Sequence, residues 1–323
     1  MRFVALIVLM IGTLVCSSCA KREEDVFVDD AKKYQYDYKD METHINDVIG
    51  EEDNKIIIDA SIDYNDNVIK GTASLDYPSV DEIKNYLPYD EINEEKKELD
   101  YDDRDTDIYW DLTSGEEEWY YDLQSTDSLA LLDDVNLKNM PYIHTTNELV
   151  LDEKARETNE YNMAQKCFKT LGYDVELVNY SYGEDGDHSQ YGFRAVQYVY
   201  NSPFLFLLLG NCEYNFIELR DQKLSSLVLE PRVKVLNSES VSVVSPQYIV
   251  EQIKADYING KIQIYAEKID EIGIGYTVIS NKLIPVWAVY SHTEEGEKNV
   301  HLAYEAETGK LIFDEMNGLV TEE

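Results

Sequence analysis

Positive charge is scarce in this chain of 323 residues: 28 Lys and Arg stand against 65 Asp and Glu, a formal net charge of −37 at pH 7. Such an excess of carboxylates repels phosphate backbones and anionic headgroups, which excludes nucleic-acid binding and a polybasic contact with membranes. Cysteine is nearly absent, and 4 residues in a chain this long do not make a disulfide framework. The histidines His44, His144, His188, His292 and His301 are scattered, with no His-Glu-x-x-His. No Cys-x-x-Cys follows residue 20, so the spacing of a zinc site is missing. There is no Gly-x-Ser-x-Gly elbow and no glycine-rich phosphate loop, so hydrolase and nucleotide chemistry find no motif.

What is present begins with Arg2, an apolar run from Phe3 to Val15, and Cys16-Ser17-Ser18-Cys19-Ala20. This is the layout of a secretory signal, and the run is shorter than the ~20 apolar residues of a spanning helix. The small serines before Cys19 resemble a bacterial lipobox, although Cys16 stands where an aliphatic residue is usual. That resemblance implies lipidation at Cys19, removal of residues 1–18, and anchoring at the extracytoplasmic face of the cell membrane. Cleavage after Ala20 and an uncleaved anchor are the alternatives.

With 44 % hydrophobic residues the remainder can bury a core. Residues 19–53 are charged and aperiodic, as expected of a flexible tether. Ile56, Ile58, Ala60 and Ile62 alternate with polar neighbours, and the alternation resumes at Ile69, Ala73, Leu75 and Tyr77. Two period-2 runs around Asn65-Asp66-Asn67 predict a β-hairpin opening a region over residues 54–151. Ser79 with Glu82 predicts a capping box and a short helix from Val80 to Leu87. Residues 89–134 are an acidic, aromatic insertion whose charges oppose compaction, read as loosely structured or as a surface awaiting a partner.

A first α+β unit is expected over residues 152–245, opened by Asp152 as N-cap. Ala164, Cys167, Phe168 and Leu171 form its helix face, with strands at 175–182, 193–200, 204–209 and 214–219. A second is expected over residues 246–323, with Ser245 and Pro246 starting a helix that presents Ile249, Val250, Ile253 and Tyr257. Strands follow at 272–279, 283–290, 300–304 and 311–313, turned by Glu307-Thr308-Gly309. The expected fold class is therefore α+β: tandem helix-plus-antiparallel-sheet units preceded by a β-hairpin.

The stretch Tyr304-Glu305-Ala306-Glu307-Thr308-Gly309-Lys310-Leu311 resembles the closing hairpin of PepSY-type domains. Ile274-Gly275-Tyr276, Leu283-Ile284-Pro285-Val286-Trp287 and Ile58-Asp59-Ala60 are similar to a Gram-positive lipoprotein family known only as a domain of unknown function. A weaker similarity is to YycH/YycI-type regulators of a cell-wall histidine kinase. These resemblances span the two ends of the chain and bring no catalytic residues. They imply an anchored, non-enzymatic binding or regulatory protein acting on a cell-envelope partner.

Close carboxylate pairs are inevitable among 65 acids, and in hydrophilic runs they are solvated faces. Asp63 to Asn67 resembles half a calcium loop, but Val68 replaces its glycine and Ser74 its final Glu. No cofactor is expected beyond weak Ca²⁺ binding by the acidic insertion. Cys167 and Cys212 are candidates for a disulfide, or for two separate buried thiols. His292 and His301 are placed to approach each other at the hairpin end of the strands at 283–290 and 300–304, and are read as surface residues. The 26 tyrosines, Tyr34, Tyr36 and Tyr38 among them, suit strand filling or a glycan platform. The alternative to a binding module is an extracytoplasmic carboxylate-dependent hydrolase or a glycan-binding protein.

Overall fold

The computed structural model describes residues 43–50, 55–84, 93–101, 105–114, 117–123, 129–133, 145–146, 149–207, 215–292 and 298–320. Within the strands of residues 93–133 it describes the backbone only, apart from Glu95, whose side chain is exposed. Its described residues form nineteen strands and four helices, and the strands make two large sheets.

The first sheet opens with β1 (His44–Ile49), β2 (Ile56–Asp63) and β3 (Ile69–Asp76). The chain then leaves for the short helix α1 (Val80–Lys84) and the second sheet. It returns with β14 (Arg232–Ser240), α4 (Pro246–Ile258), β15 (Lys268–Ile279), β16 (Lys282–His292), β17 (Lys298–Glu305), β18 (Leu311–Asp314) and β19 (Gly318–Leu319). Their order is β1-β2-β15-β16-β17-β18-β19, with β3 joining β16 and β14. All pairs are antiparallel except β2 with β15, where Lys268 lies opposite Ile57.

Between these visits run β4 (Asn93–Tyr101), β5 (Asp105–Ser114), β6 (Glu117–Leu123), β7 (Leu129–Asp133), β8 (Leu149–Val150), α2 (Glu153–Arg156) and α3 (Asn159–Thr170). Then follow β9 (Val175–Asp185), β10 (His188–Val199), β11 (Ser202–Pro203), β12 (Asn215–Arg220) and β13 (Lys223–Leu229). The second sheet is ordered β4-β5-β6-β7-β13-β12-β10-β9-β8, with β11 beside β10. The acidic insertion thus supplies four strands of an extended sheet, with Trp110 opposite Tyr121 and Leu112 opposite Trp119 in the ladder. Its β-branched and aromatic content outweighs its charge in deciding backbone form.

This corrects the expected fold class. The chain is mostly β-sheet, and the tandem of separate helix-plus-sheet units preceded by a hairpin is not what it forms. The second sheet is inserted into the first, so described residues between 45 and 68 share one core with described residues between 243 and 306. The hairpin fails for a definite reason. Both edges of β2 are already taken, by β1 and by β15, so β3 is carried away to β16 and β14. The Asn-rich turn serves that separation: Asn65 accepts from the Asn67 N–H, and its Nδ2 donates to the Tyr200 carbonyl at 2.6 Å. His44–Ile49, expected in the tether, is a paired strand with Ile45 and Ile49 buried.

Local signals hold well. The α1 capping box is reciprocal, Ser79 N–H donating to Glu82 at 2.8 Å and Glu82 N–H to Ser79 Oγ at 3.3 Å. Asp152 caps only the single turn α2, and Thr158 caps α3, whose Ala164, Cys167 and Phe168 are buried with Leu171 just beyond them. Ser245 Oγ caps α4, which covers the first sheet with Ile249, Val250 and Ile253. Trp287 is fully buried in that core and donates from Nε1 to the Val244 carbonyl at 3.0 Å. The apolar run at Phe204 is not a regular strand. Residues 204–207 are buried as a crossing segment, Phe204 N–H donating to Gln197 O in the second sheet and Leu205 N–H to Tyr276 O in the first, both at 2.7 Å.

Candidate functional site

That crossing segment forms one wall of a cavity of about 350 Å³ between the sheets. From the second sheet, β9 contributes Glu176, Val178 and Asn179, and β10 contributes Val196, Gln197 and Tyr198. The first sheet contributes Tyr290, His292, Lys298 and Val300, with Asp63 at the end of β2. Strand alternation accounts for Tyr290 and His292 of β16, whereas β9 and β10 contribute consecutive residues, Val178 with Asn179 and Val196 to Tyr198. Phe204, Leu205, Phe206, Tyr290 and Val300 are buried around it, while Asp63, Glu176 and His292 are exposed. The cavity therefore joins an apolar wall to buried polar groups, Glu230, Gln197 and Asn179, with the carboxylates of Asp63 and Glu176 at its mouth, a volume that suits a small ligand or one or two side chains.

The charges at the mouth are organised. His292 Nδ1 pairs with Asp270 Oδ1 at 2.6 Å and Lys298 pairs with Glu271. The Lys298 ammonium also lies 3.9 Å from the centre of the Tyr290 ring, a cation–π contact that keeps it against the wall. Tyr198 bonds with Glu176, and burial together with the nearby carboxylates of Glu176 and Asp63 pushes its phenol well above the usual range. Tyr198 is thus a neutral hydrogen-bonding group at any physiological pH.

A second polar constellation lies on the other side of the first sheet. The ladder between β16 and β17 shifts after the pair Val289–Leu302, so that Tyr290 faces Val300 and His301 is the extra residue of a bulge. His301 Nε2 sits 2.7 Å from Ser291 Oγ, and Nδ1 sits 2.6 Å from Glu315 Oε2. His301 is buried, not on the surface as expected, whereas His292 is exposed. His44 and His188 each pair with one carboxylate, Asp59 and Asp221, at 2.8 Å.

Of the residues singled out in sequence, Cys167 is buried under α3. Cys19, Cys212, His144, Tyr34, Tyr36 and Tyr38 lie outside the described residues, and so does any bridge to Cys212. The described residues hold no group of three or more His, Cys, Asp or Glu side chains placed for a metal ion. Apart from Glu95, the side chains of the acidic insertion, where Ca²⁺ is expected, are outside that set. No helix among the described residues is long and apolar enough to cross a membrane. Tyr180, Tyr182, Tyr191 and Phe193 form a stacked ladder, centroids 6.1–6.5 Å apart, but Phe193 and Tyr180 are core, so strand filling describes them better than a platform. Sequence reading missed both constellations. The residues of the cavity are spread from Asp63 to Val300, and Ser291, His301 and Glu315 meet only through a bulge.

No protein-family model matches the chain, and no curated protein does. Among solved structures, an uncharacterized protein from Eubacterium rectale ATCC 33656 aligns with a TM-score of 0.52 at 15 % identity, covering 90 % of this chain and 98 % of that one. At that identity the likeness concerns the fold alone.

Proposed function

We propose that this chain is a lipid-anchored, extracytoplasmic binding or regulatory module, and that its inter-sheet cavity receives an amphipathic cationic group from a cell-envelope partner. The observation that carries the reading is the cavity itself, walled by Phe204, Leu205, Phe206, Tyr290 and Val300, with the Glu230 carboxylate buried in its lining and Asp63 and Glu176 at its mouth, on a chain of net charge −37. The acidic field draws cations toward the mouth, and the apolar part of the wall rewards a carbon body beside the charge. A Lys or Arg side chain beside an apolar residue, or a small amine, has that chemistry. The lipobox-like serines before Cys19 support anchoring, and the PepSY-like and lipoprotein-family resemblances support a regulatory role at the envelope.

A photo-crosslinking residue placed at Val196 in the full-length protein, irradiated in its native membrane, tests this. The expected result is one recurrent adduct whose linked peptide carries a basic residue next to an apolar one, lost when Asp63→Asn and Glu176→Gln are combined. Adducts spread over unrelated acidic or neutral peptides contradict it.

A further inference from the structure

The chain Ser291–His301–Glu315 has the connectivity of a nucleophile, its base and an orienting acid. An ionised carboxylate only accepts hydrogen bonds, so the 2.6 Å contact to Glu315 requires the proton on His301 Nδ1. That leaves the Nε2 lone pair facing Ser291 Oγ at 2.7 Å, the tautomer a general base needs. The supports are rigid. Glu315 N–H donates to the His301 carbonyl at 3.0 Å. The following turn is closed by Met316 N–H and Asn317 Nδ2 donating to Asp314, with Gly318 at φ +70. His301 is 7 % exposed while Ser291 is half-buried, so the base is shielded and the hydroxyl is reachable. Ser291 stands between the cavity-lining Tyr290 and His292 and by strand alternation faces the opposite side, so this site is separate from the cavity.

We infer that Ser291 is an activated nucleophile that takes acyl groups from neutral or cationic carboxylic esters. Anionic esters are disfavoured by the net charge of the chain. Ser291 Oγ attacks the ester carbonyl carbon and its proton passes to His301 Nε2. The ester C–O bond breaks, the departing alkoxide takes that proton, and the acyl group stays on Ser291. Water then attacks the acyl-serine, giving its proton to His301, which returns it to Ser291 Oγ as the carboxylic acid leaves. Glu315 is a positioning residue: it fixes the tautomer and the ring without touching substrate.

The test is the rate at which the full-length protein is acylated by p-nitrophenyl acetate and labelled by a fluorophosphonate, followed by intact mass and peptide mapping. The expected result is one adduct, on Ser291, forming about 10²–10⁴-fold faster than in His301→Gln and absent in Ser291→Ala. Glu315→Gln slows it and loses the downfield Nδ1–H proton resonance, and Glu315→Asp restores part of both. Wild-type protein that stays unlabelled, labels at another residue, or labels Ser291 no faster than His301→Gln overturns the inference. The wild-type arm decides this even where a variant folds poorly, and its failure leaves the cavity reading untouched.

Discussion

Replacing Arg232 with Met tests how the two sheets are held together. Arg232 opens β14 where the chain leaves the second sheet, and its guanidinium gathers four residues from three segments. Nε and Nη2 bind the Asp76 carboxylate of β3 at 3.3 and 2.9 Å, and Nη1 binds Glu82 of α1 at 2.8 Å. Nη1 also donates to the Leu171 carbonyl at the end of α3 at 2.9 Å, and Nη2 to the Tyr77 carbonyl at 3.3 Å. The two carbonyl bonds contribute about 1 kcal/mol each. The carboxylates are half exposed, so their pairs contribute on the order of 0.5 kcal/mol each. The expected cost of Arg232→Met is about 3 kcal/mol in urea unfolding followed by circular dichroism at neutral pH. A pH dependence accompanies it, because the Arg232 hydrogen bond, helped by Ser79, draws the Glu82 carboxyl from its usual 4.5 to about 2. A depressed acid stabilises fully above its unfolded value and loses that contribution as pH falls toward the folded one. The gap between wild type and variant therefore narrows between pH 4.5 and 2, by about 1 kcal/mol after allowing for the exposure of Glu82. A loss below about 1 kcal/mol at neutral pH, or a gap that does not change with pH, refutes the reasoning.

Other outcomes follow from the same geometry. Asp256 is buried in the last turn of α4, where burial raises its carboxyl and the helix end disfavours negative charge. Asp256→Asn keeps the contact with Tyr304 and is expected to stabilise by about 0.5–1 kcal/mol, read as a rise in melting temperature at neutral pH that shrinks in acid. Gly309 turns β17 into β18 at φ +73, and a Cβ there meets Tyr248 Cε1 at 2.4 Å. Gly309→Ala is expected to cost about 1–3 kcal/mol, and a neutral result in thermal melting contradicts the turn geometry. Lys254 of α4 pairs with Asp47 of β1 in a part-buried bond. Lys254→Met is expected to speed hydrogen exchange in β1 while leaving β12 and β13 unchanged.

The local elements were legible because their causes are local. Ser79 with Glu82, Ser245 with Pro246, and Gly309 act over a few residues, and each does in the fold what its chemistry says. The alternation over Ile56–Ile62 marked a buried strand face correctly, down to Ile56, Ile58, Ala60 and Ile62. Alternation says nothing of the partner, however, and the strand beside β2 on one edge is β15, some two hundred residues onward. Charge misled at β4–β7, whose backbone pairs into a sheet despite the run of acidic residues. The site was illegible for the same reason as the topology. Its walls come from both sheets, and His301 reaches Ser291 only because β17 carries one residue more than β16 at that point.

The most direct test of the cavity reading is a calorimetric titration of the full-length protein with linear alkylamines and with alkanoates of matching length. Saturable binding of the amines, weakened by salt, abolished by Val196→Trp and absent for the alkanoates, is the result the account predicts. Equal binding of both series, or binding that survives Val196→Trp, contradicts it.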